Sequence, residues 1–410
     1  MHGRIGSYSG PINVNMNGPK MAEDDALLEE NLEEALDDLG TIENWAQGAV
    51  LWSTDWTAET ILAQLNRNNI DLDPSFQRRS AWPDKKQSLF IESLILGLPI
   101  PQLILAEAPG RRGSFIVIDG KQRLLAIRRF GSENQEDQFR PLKLRGLTEL
   151  EHLNNKTYSD LRDEVALSDD RAAFENSSIR TIVIRNWQHE EYLYEVFLRI
   201  NTGSVQLSPQ ELRQALYPGN FSRFIGEASA NSEELMRALN LRSPDFRMRD
   251  AEILLRFIAY RNYINFYNGN MKYFLDEATR NLSVSWEERK EEIEYQVNEM
   301  ENAIRFTREV FGDRDYLRKW NGDDFESRKN RAVFDIMLHY FCHPFVRDAL
   351  AEKGTEIKQA FIELCGNEEF RSSLETTTKS VVSNRIRFNL WGETVERLAQ
   401  LDLSAMKFPE

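Results

Sequence analysis

The pattern of apolar residues in this chain of 410 residues changes near Phe221. Between residues 50 and 215, short β-rich runs alternate with segments of helical spacing, which is typical of a mixed α/β domain. Beyond Phe221 the β-type runs nearly disappear, and segments of helical spacing carry charged outer faces. The clearest of these segments are residues 251–266, 286–311, 331–341 and 389–401. The sequence therefore predicts the α+β class, with a mixed α/β domain followed by an all-helical domain.

We divide the chain at its changes of composition into residues 1–45, 46–218 and 219–410. The first segment begins with a Gly-, Ser- and Asn-rich leader, which we expect to be disordered. Within the same segment, residues 23–38 contain leucines at helical spacing and no basic residue, which predicts an acidic helix. Such a helix is either solvated and packed loosely on the protein, or a docking element or mimic of nucleic-acid charge.

The balance of charges limits the partners of this protein. Its 51 Lys and Arg residues against 66 Asp and Glu residues give a net charge of −15. This charge argues against a protein that coats nucleic acid non-specifically, although a local basic groove can exist inside an acidic shell. The longest apolar stretch, residues 89–106, is interrupted by Glu92, Gly97 and two prolines and does not predict a membrane span. With only two cysteines, a disulfide scaffold is not expected, and we expect a cytoplasmic protein.

The most informative segment is Asp-Gly-Lys-Gln-Arg at residues 119–123, which we call the 119–123 turn. It follows two apolar runs, residues 103–106 and 115–118, that flank a Pro- and Gly-rich cluster and predict a hairpin. It opens a segment that we expect to be helical from residue 121 to residue 130. A strand that ends in Asp-Gly before a helix leaves free backbone amide groups at the helix start.

Lys121 and Arg123 are unusual in the first turn of a helix, because each costs about a few tenths of a kcal/mol against the helix dipole. An anion bound at the helix start would explain both cations, and the nearby glycine would allow its close approach. Asp119 could hold a magnesium ion or orient a water beside such an anion. Alternatively, Asp119 caps the helix and the two cations are solvated. The residues alone leave both interpretations open.

Three further segments carry patterns of interest. Residues 73–79 place Arg78 and Arg79 beside an aromatic ring, which suits phosphate clamping with base stacking, or equally a surface arginine pair. Residues 197–203 end in Asn-Thr-Gly, which is also a natural helix stop. Ser-Pro-Gln-Glu at residues 208–211 is a capping box with proline at the first helical position, and it predicts a helix start.

His339 and His343 lie four residues apart on a helical segment, with Cys342 between them. Two helical ligands at this spacing could begin a zinc site. A tyrosine follows His339 where a zinc protease would have glutamate, and the sequence offers no third ligand cluster nearby. We therefore interpret both histidines as core or capping residues.

Four motifs occur in order along the chain: Asp-Pro-x-Phe-Gln-Arg, Leu-Gly-Leu-Pro-Ile-Pro, Ile-Asp-Gly-Lys-Gln-Arg, and Ile-Asn-Thr-Gly with Leu-Ser-Pro-Gln-Glu-Leu-Arg. Over residues 50–270 the chain resembles the family that forms the N-terminal half of GmrSD-type modification-dependent restriction enzymes and of SspE-like phage-defence proteins. That domain belongs to the ParB/sulfiredoxin-like superfamily, whose members place a Gly-x-x-Arg turn against nucleotide phosphates. The family's usual Asp-Gly-Gln-Gln-Arg motif occurs here with Lys121 in place of the first glutamine, which adds a cation.

The resemblance implies a nucleotide site built on these motifs. It implies that Asp119 and Arg123 are catalytic and that Asp119 is also the protein ligand of Mg²⁺. The residues that would contact the nucleotide are Arg78, Gly120, Lys121, Gln122, Arg123 and Asn201. Glu211 and Arg213 match the last motif, for which the resemblance implies no definite role.

By this resemblance, the chain is expected to be a nucleotide-binding sensor or NTPase subunit of a bacterial anti-phage or restriction system, using an NTP (ATP or GTP) with Mg²⁺. One alternative is a non-catalytic ParB-like module that binds DNA. Another is an adaptor that recruits a nuclease or other effector protein through its acidic helix. Many relatives carry a C-terminal His-Asn-His-type nuclease domain, but we find no such motif in the sequence and expect no DNA cleavage by this chain alone.

Overall fold

The computed structural model describes residues 48–70, 72, 79–132, 139–200, 208–375 and 380–409. The leader and the acidic helix expected in residues 1–45 lie outside these ranges. Within them the chain belongs to the α+β class, as predicted, with one four-stranded sheet before residue 218 and helical elements after it. None of the helices in these ranges combines the length and the apolar character needed to cross a membrane.

The sheet lies in the N-terminal part of the chain. Its strands are β1 (Val50–Thr57), β2 (Leu103–Glu107), β3 (Phe115–Asp119) and β4 (Ser178–Arg185). They lie in the order β1-β4-β2-β3, with β2 and β4 parallel and the other neighbouring pairs antiparallel. The antiparallel pair β2 and β3 confirms the predicted hairpin.

Within the described part of the chain, seven helices cover the two faces of this sheet. They are α1 (Ala58–Asn66), α2 (Asp84–Ile95), α3 (Lys121–Phe130), α4 (Tyr158–Asp163), α5 (Ser168–Asn176), α6 (Glu190–Ile200) and α7 (Pro209–Leu216). Leu103 and Leu105 of β2 pack with α1 to α5 on one face, whereas Ile104 and Ala106 pack with α6 and α7 on the other. Because both faces are buried, the central strands are continuously apolar rather than alternating.

Strand β1 is not predicted from the sequence. It lies at the edge of the sheet and pairs only with β4 along its eight residues. Val50, Leu51 and Trp52 are exposed, so large apolar residues here do not alternate with polar ones in the way that marks a half-buried strand. Backbone pairing with β4, more than side-chain burial, accounts for this element.

All named elements beyond residue 218 are helices, which confirms the predicted all-helical part. They are α8 (Asn220–Asn231), α9 (Glu233–Ala238), α10 (Arg249–Tyr263), α11 (Met271–Val284), α12 (Trp286–Phe311), α13 (Arg331–Phe341), α14 (Pro344–Leu350), α15 (Gly354–Cys365), α16 (Glu368–Glu375) and α17 (Val381–Ala399). Short 3₁₀ turns lie at Glu151–Leu153, Val165–Leu167, Ile264–Phe266 and Ser404–Met406. One hydrophobic cluster, drawn from Phe221 to Phe408, holds the helices together.

His339 lies on α13, and His343 directly precedes α14. Both are structural residues, as interpreted from the sequence. The Nε2 atom of His339 lies 2.7 Å from the carbonyl oxygen of Met406, and its ring packs edge-on against Phe388. The guanidinium of Arg261 lies against the ring of His343 and forms a hydrogen bond with it. Among the described residues, no group of three or more His, Cys, Asp or Glu side chains could hold a metal ion.

The free energy of unfolding is expected to fall by about 2 kcal/mol between pH 7 and pH 5 because of His339. Burial lowers the pKa of His339 to about 4, whereas the unfolded chain keeps the usual value of about 6.5. Below about pH 6.5 His339 binds a proton in the unfolded state but not in the folded state, so the free energy of unfolding decreases as the pH falls towards 4. Urea titrations at several pH values, compared with His339→Gln, should show a shallower decline in the variant. An equally steep decline in both proteins would contradict this assignment.

Two buried arginines connect the sheet-bearing part to the helical part. Arg79 donates to the carboxylate of Asp250 at 2.5 Å, and also to two backbone carbonyls and a hydroxyl of the helical part. Arg213, on α7, donates through Nε to Asp276 of α11 at 2.7 Å. Lys272 donates to the other oxygen of the same carboxylate. Both junctions are almost completely excluded from water.

Candidate functional site

The 119–123 turn joins β3 directly to α3, as the sequence predicts. Strand β3 ends at Asp119, and Gly120 adopts a left-handed conformation with φ of 101° before α3 begins at Lys121. A Cβ atom at Gly120 would lie 2.3 Å from the Cδ2 atom of Leu103, closer than any side chain could tolerate. Both the backbone conformation and the contact therefore require glycine. As the residue that precedes the helix, Gly120 supplies no side-chain cap, and the first amide groups of α3 lack one.

Arg123 and Asp119 form an ion pair across this turn. Nη2 of Arg123 lies 2.6 Å from Oδ2 of Asp119 and donates at 3.1 Å to the carbonyl of Gln102. The side chain of Arg123 is 12% exposed and that of Asp119 is 35% exposed. The Nε–H group of Arg123 is buried and has no hydrogen-bond partner among the described residues. The Nε atoms of Arg79, Arg185 and Arg308 are buried in the same way, so this atom of Arg123 is notable for its position beside the start of α3.

Gln122 holds the chain that follows Arg79 against the turn. Its Oε1 atom accepts a hydrogen bond from the hydroxyl of Ser80 at 3.0 Å and from the backbone N–H of Trp82 at 3.3 Å. Its side-chain oxygen is therefore already engaged in positioning a neighbouring segment. Through Ser80, the turn is thus connected to the neighbouring Arg79, whose side chain donates to Asp250 of the helical part.

Lys121 is buried rather than solvated. Its Nζ atom lies 2.5 Å from Oε1 of Glu211, and the two side chains are only 8% and 5% exposed. Glu211 closes the predicted capping box of α7, because its Oε2 accepts from the backbone N–H of Ser208 at 2.8 Å. Lys121 therefore links the start of α3 to the start of α7. An anion that contacts the Lys121 ammonium would therefore also lie close to the Glu211 carboxylate.

The remaining residues inferred from the sequence are placed apart from the turn or are not described. Arg78 and Asn201 lie outside the described residues. Arg213 points away from the turn to its ion pair with Asp276, and stabilises the junction with the helical part. The sequence brings none of these long-range pairs to notice, because Lys121 and Glu211 lie 90 residues apart and Arg213 and Asp276 lie 63 apart. The sequence signal for such a buried pair would be a charged residue on an otherwise apolar helix face.

Asp119 is the one residue of the turn with a carboxylate, and its surroundings suit Mg²⁺. One oxygen accepts from Arg123, while about a third of the side chain remains exposed to solvent. Mg²⁺ commonly takes one or two protein carboxylates and completes its shell with water and phosphate oxygens. Asp119 is therefore the carboxylate of the turn that could take part in holding a magnesium ion if a phosphorylated ligand supplied further oxygen atoms.

The comparison with known protein families identifies the sheet-bearing part. Residues 59–218 match the family described as the GmrSD restriction endonuclease, N-terminal domain. The chain matches no curated protein and no solved structure. The matched range contains both the 119–123 turn and the capping box of α7, and the match indicates a component of a restriction or phage-defence system. The match over residues 59–218 thus supports the GmrSD-type restriction family for this part of the chain.

Proposed function

We propose that this chain is a nucleotide-binding sensor or NTPase subunit of its restriction or phage-defence system, with nucleotide phosphates bound at the start of α3. The observation that carries this proposal is the buried, unsatisfied Nε–H of Arg123 beside the uncapped start of the helix. A phosphate oxygen at this position would accept from that group and from the backbone amides. It would also lie at the positive end of the helix dipole.

The contacts of Arg123 pre-organise it for this role. Asp119 and the carbonyl of Gln102 hold one end of the guanidinium, so its orientation is set before a ligand arrives. A planar, permanently charged guanidinium is well suited to phosphate oxygens. Because the group is mostly buried, its attraction for an anion is screened less than that of a surface arginine.

Turnover would need more than binding, and Asp119 is the residue placed to contribute. Phosphoryl transfer depends chiefly on positioning and on neutralisation of charge, which Mg²⁺ supplies when it is bound. The exposed part of the Asp119 carboxylate faces solvent at the same turn, where it can ligate the ion or orient water. Arg123 would remain on the phosphates. This division of labour predicts different consequences for the two residues.

Arg123→Ala is expected to weaken binding of ATP or GTP at least ten-fold, because charge-assisted hydrogen bonds contribute about 1.5–3 kcal/mol. Asp119→Ala should keep most of the nucleotide affinity, because the carbonyl of Gln102 still holds Arg123, but lose Mg²⁺-dependent hydrolysis, where the parent shows it. Calorimetric titration and phosphate release measure the two effects, with circular dichroism to confirm folding. A parent protein that binds neither nucleotide would refute the proposal. Retention of a DNA duplex in place of nucleotide would favour a non-catalytic reader instead.

A further inference from the structure

A pocket of about 120 Å³ lies at the outer edge of β3, and Lys121 is the residue of the 119–123 turn that lines it. We call it the β3 pocket. Its wall includes the β2–β3 hairpin with Arg111, the residue Asn68 after α1, and Lys121 at the start of α3. The opposite wall comes from the α7–α8 connection with Gly219, and from Arg223 in the first turn of α8. The pocket thus lies between the sheet-bearing part and the first helix of the helical part.

The charge of the β3 pocket is opposite to that of the whole protein. Its described lining residues include Arg111, Lys121 and Arg223 as cations and Glu211 as the one carboxylate, a net formal charge of +2. The chain as a whole carries −15. Arg111 and Arg223 are exposed, and neither forms an ion pair with another described residue. A concave, positively charged site in an acidic protein concentrates anions.

Two helices begin at this pocket. Lys121 opens α3, and Gly219 immediately precedes α8, a helix of 12 residues. Neither helix has a side-chain cap at its start, and a Cβ atom at Gly219 would meet nothing within 4 Å. Lys121, Gly219 and Ser222 line the pocket, so the starts of both helices border it, and both helix dipoles favour negative charge there.

We infer that the β3 pocket holds the phosphate chain of the nucleotide, with Arg111 and Arg223 as its outer ligands. This inference rests on the proposed function. Lys121 lines the pocket whereas Arg123 does not, so the phosphate chain is inferred to extend from Arg123 past Lys121 into the pocket, where Arg111 and Arg223 lie outside the motifs discussed above. The phosphate chain runs from the start of α3 towards the start of α8. Sites that enclose a whole small ligand usually measure about 300–1,000 Å³, so a pocket of this size takes the phosphates and leaves the base outside.

The position of Arg223 gives the ligand a structural consequence. Arg111 belongs to the sheet-bearing part, whereas Arg223 belongs to α8, which packs in the large helical cluster through Phe221 and Ile225. A phosphate chain held by both arginines bridges the two parts of the protein. Its hydrolysis or release removes that bridge, which is the change that a nucleotide sensor would report.

Arg111→Gln and Arg223→Gln test the inference, and each has a matched control of the same charge and exposure. Arg112→Gln changes the neighbouring residue of the same hairpin turn, and Arg242→Gln changes an exposed arginine of the helical part that does not line the pocket. ATP, GTP, inorganic triphosphate and a DNA duplex are titrated separately into the parent and the four variants, at low and high salt. We expect each pocket variant to bind nucleotide and triphosphate about ten-fold more weakly, with unchanged controls. The difference should shrink at high salt.

The outcomes separate this inference from the proposed function. Pocket variants that bind nucleotide as tightly as the parent, while Arg123→Ala does not, overturn the β3 pocket but leave the nucleotide site at the turn. A parent that binds no nucleotide overturns both. Binding of the DNA duplex that depends on Arg111 and Arg223, without binding of nucleotide or triphosphate, overturns the inference in favour of a DNA-backbone site.

Discussion

Arg79→Met is expected to lower the free energy of unfolding by about 3–5 kcal/mol, because it leaves the buried carboxylate of Asp250 without its ion-pair partner. The two side chains are 1% and 0% exposed, so water does not replace the lost contact. Arg79 also donates to the carbonyls of Asp245 and Gly226 and to the hydroxyl of Ser229. Its removal therefore leaves several acceptors unsatisfied at the junction with the helical part. Denaturant titration of the parent and the variant measures the loss.

The same variant should respond to pH in a definite direction. Burial raises the pKa of Asp250 even in the presence of Arg79, and loss of the guanidinium raises it further. An acid whose folded pKa exceeds its unfolded value binds more protons in the folded state, so the stability of the variant should recover as the pH falls from 7 to 5. Arg79→Met combined with Asp250→Leu removes both charges and should recover much of the loss at pH 7. Equal stabilities of the single and double variants would contradict a dominant ion pair.

The local parts of the fold could be predicted from the sequence because local signals determine them. The 119–123 turn follows from a strand end, a glycine and a helix start that are contiguous in the chain. The start of α7 follows from its capping box, and both ends of α12 and α13 follow from amphipathic spacing. Helix α17 begins eight residues before the predicted segment of 389–401, since its early turns are polar and less periodic.

The long-range charge pairs could not be predicted, because no local pattern links their members. Arg79 and Asp250 lie 171 residues apart, and nothing in the sequence around either residue points to the other. The two interpretations of Arg78 and Arg79 that the sequence left open, a phosphate clamp and a surface pair, both place Arg79 at the surface, whereas Arg79 is buried. A charged side chain is usually read as exposed, so its burial beside a partner becomes visible only in three dimensions.

The ion pair between Lys121 and Glu211 changes the expected effect of a substitution at position 121. From the sequence, replacing it by the family's usual glutamine is expected to weaken nucleotide binding by about 1–2 kcal/mol without lowering the melting temperature, as for an exposed charge. The stability part of that expectation assumes that Lys121 has no partner within the protein, and the structure contradicts this assumption, because Nζ of Lys121 is buried against Oε1 of Glu211. The binding part stays a prediction, since Lys121 also lines the β3 pocket.

Lys121→Gln is therefore expected to destabilise the protein by about 3 kcal/mol, since the shorter amide cannot reach Glu211 and leaves a buried carboxylate uncompensated. Glu211→Gln in the same chain removes that charge while its remaining oxygen still accepts from the N–H of Ser208, so the capping box survives. The double variant should regain more than half of the lost stability in denaturant titrations. Its pocket keeps a net formal charge of +2, because one cation and one carboxylate are lost together, so weaker nucleotide binding than in the parent would report the loss of the Lys121 ammonium as a ligand. A melting temperature of Lys121→Gln equal to that of the parent would indicate that the ion pair of Lys121 with Glu211 does not stabilise the fold. Recovery of both stability and affinity in the double variant would show that Lys121 serves the junction between α3 and α7 and not the ligand.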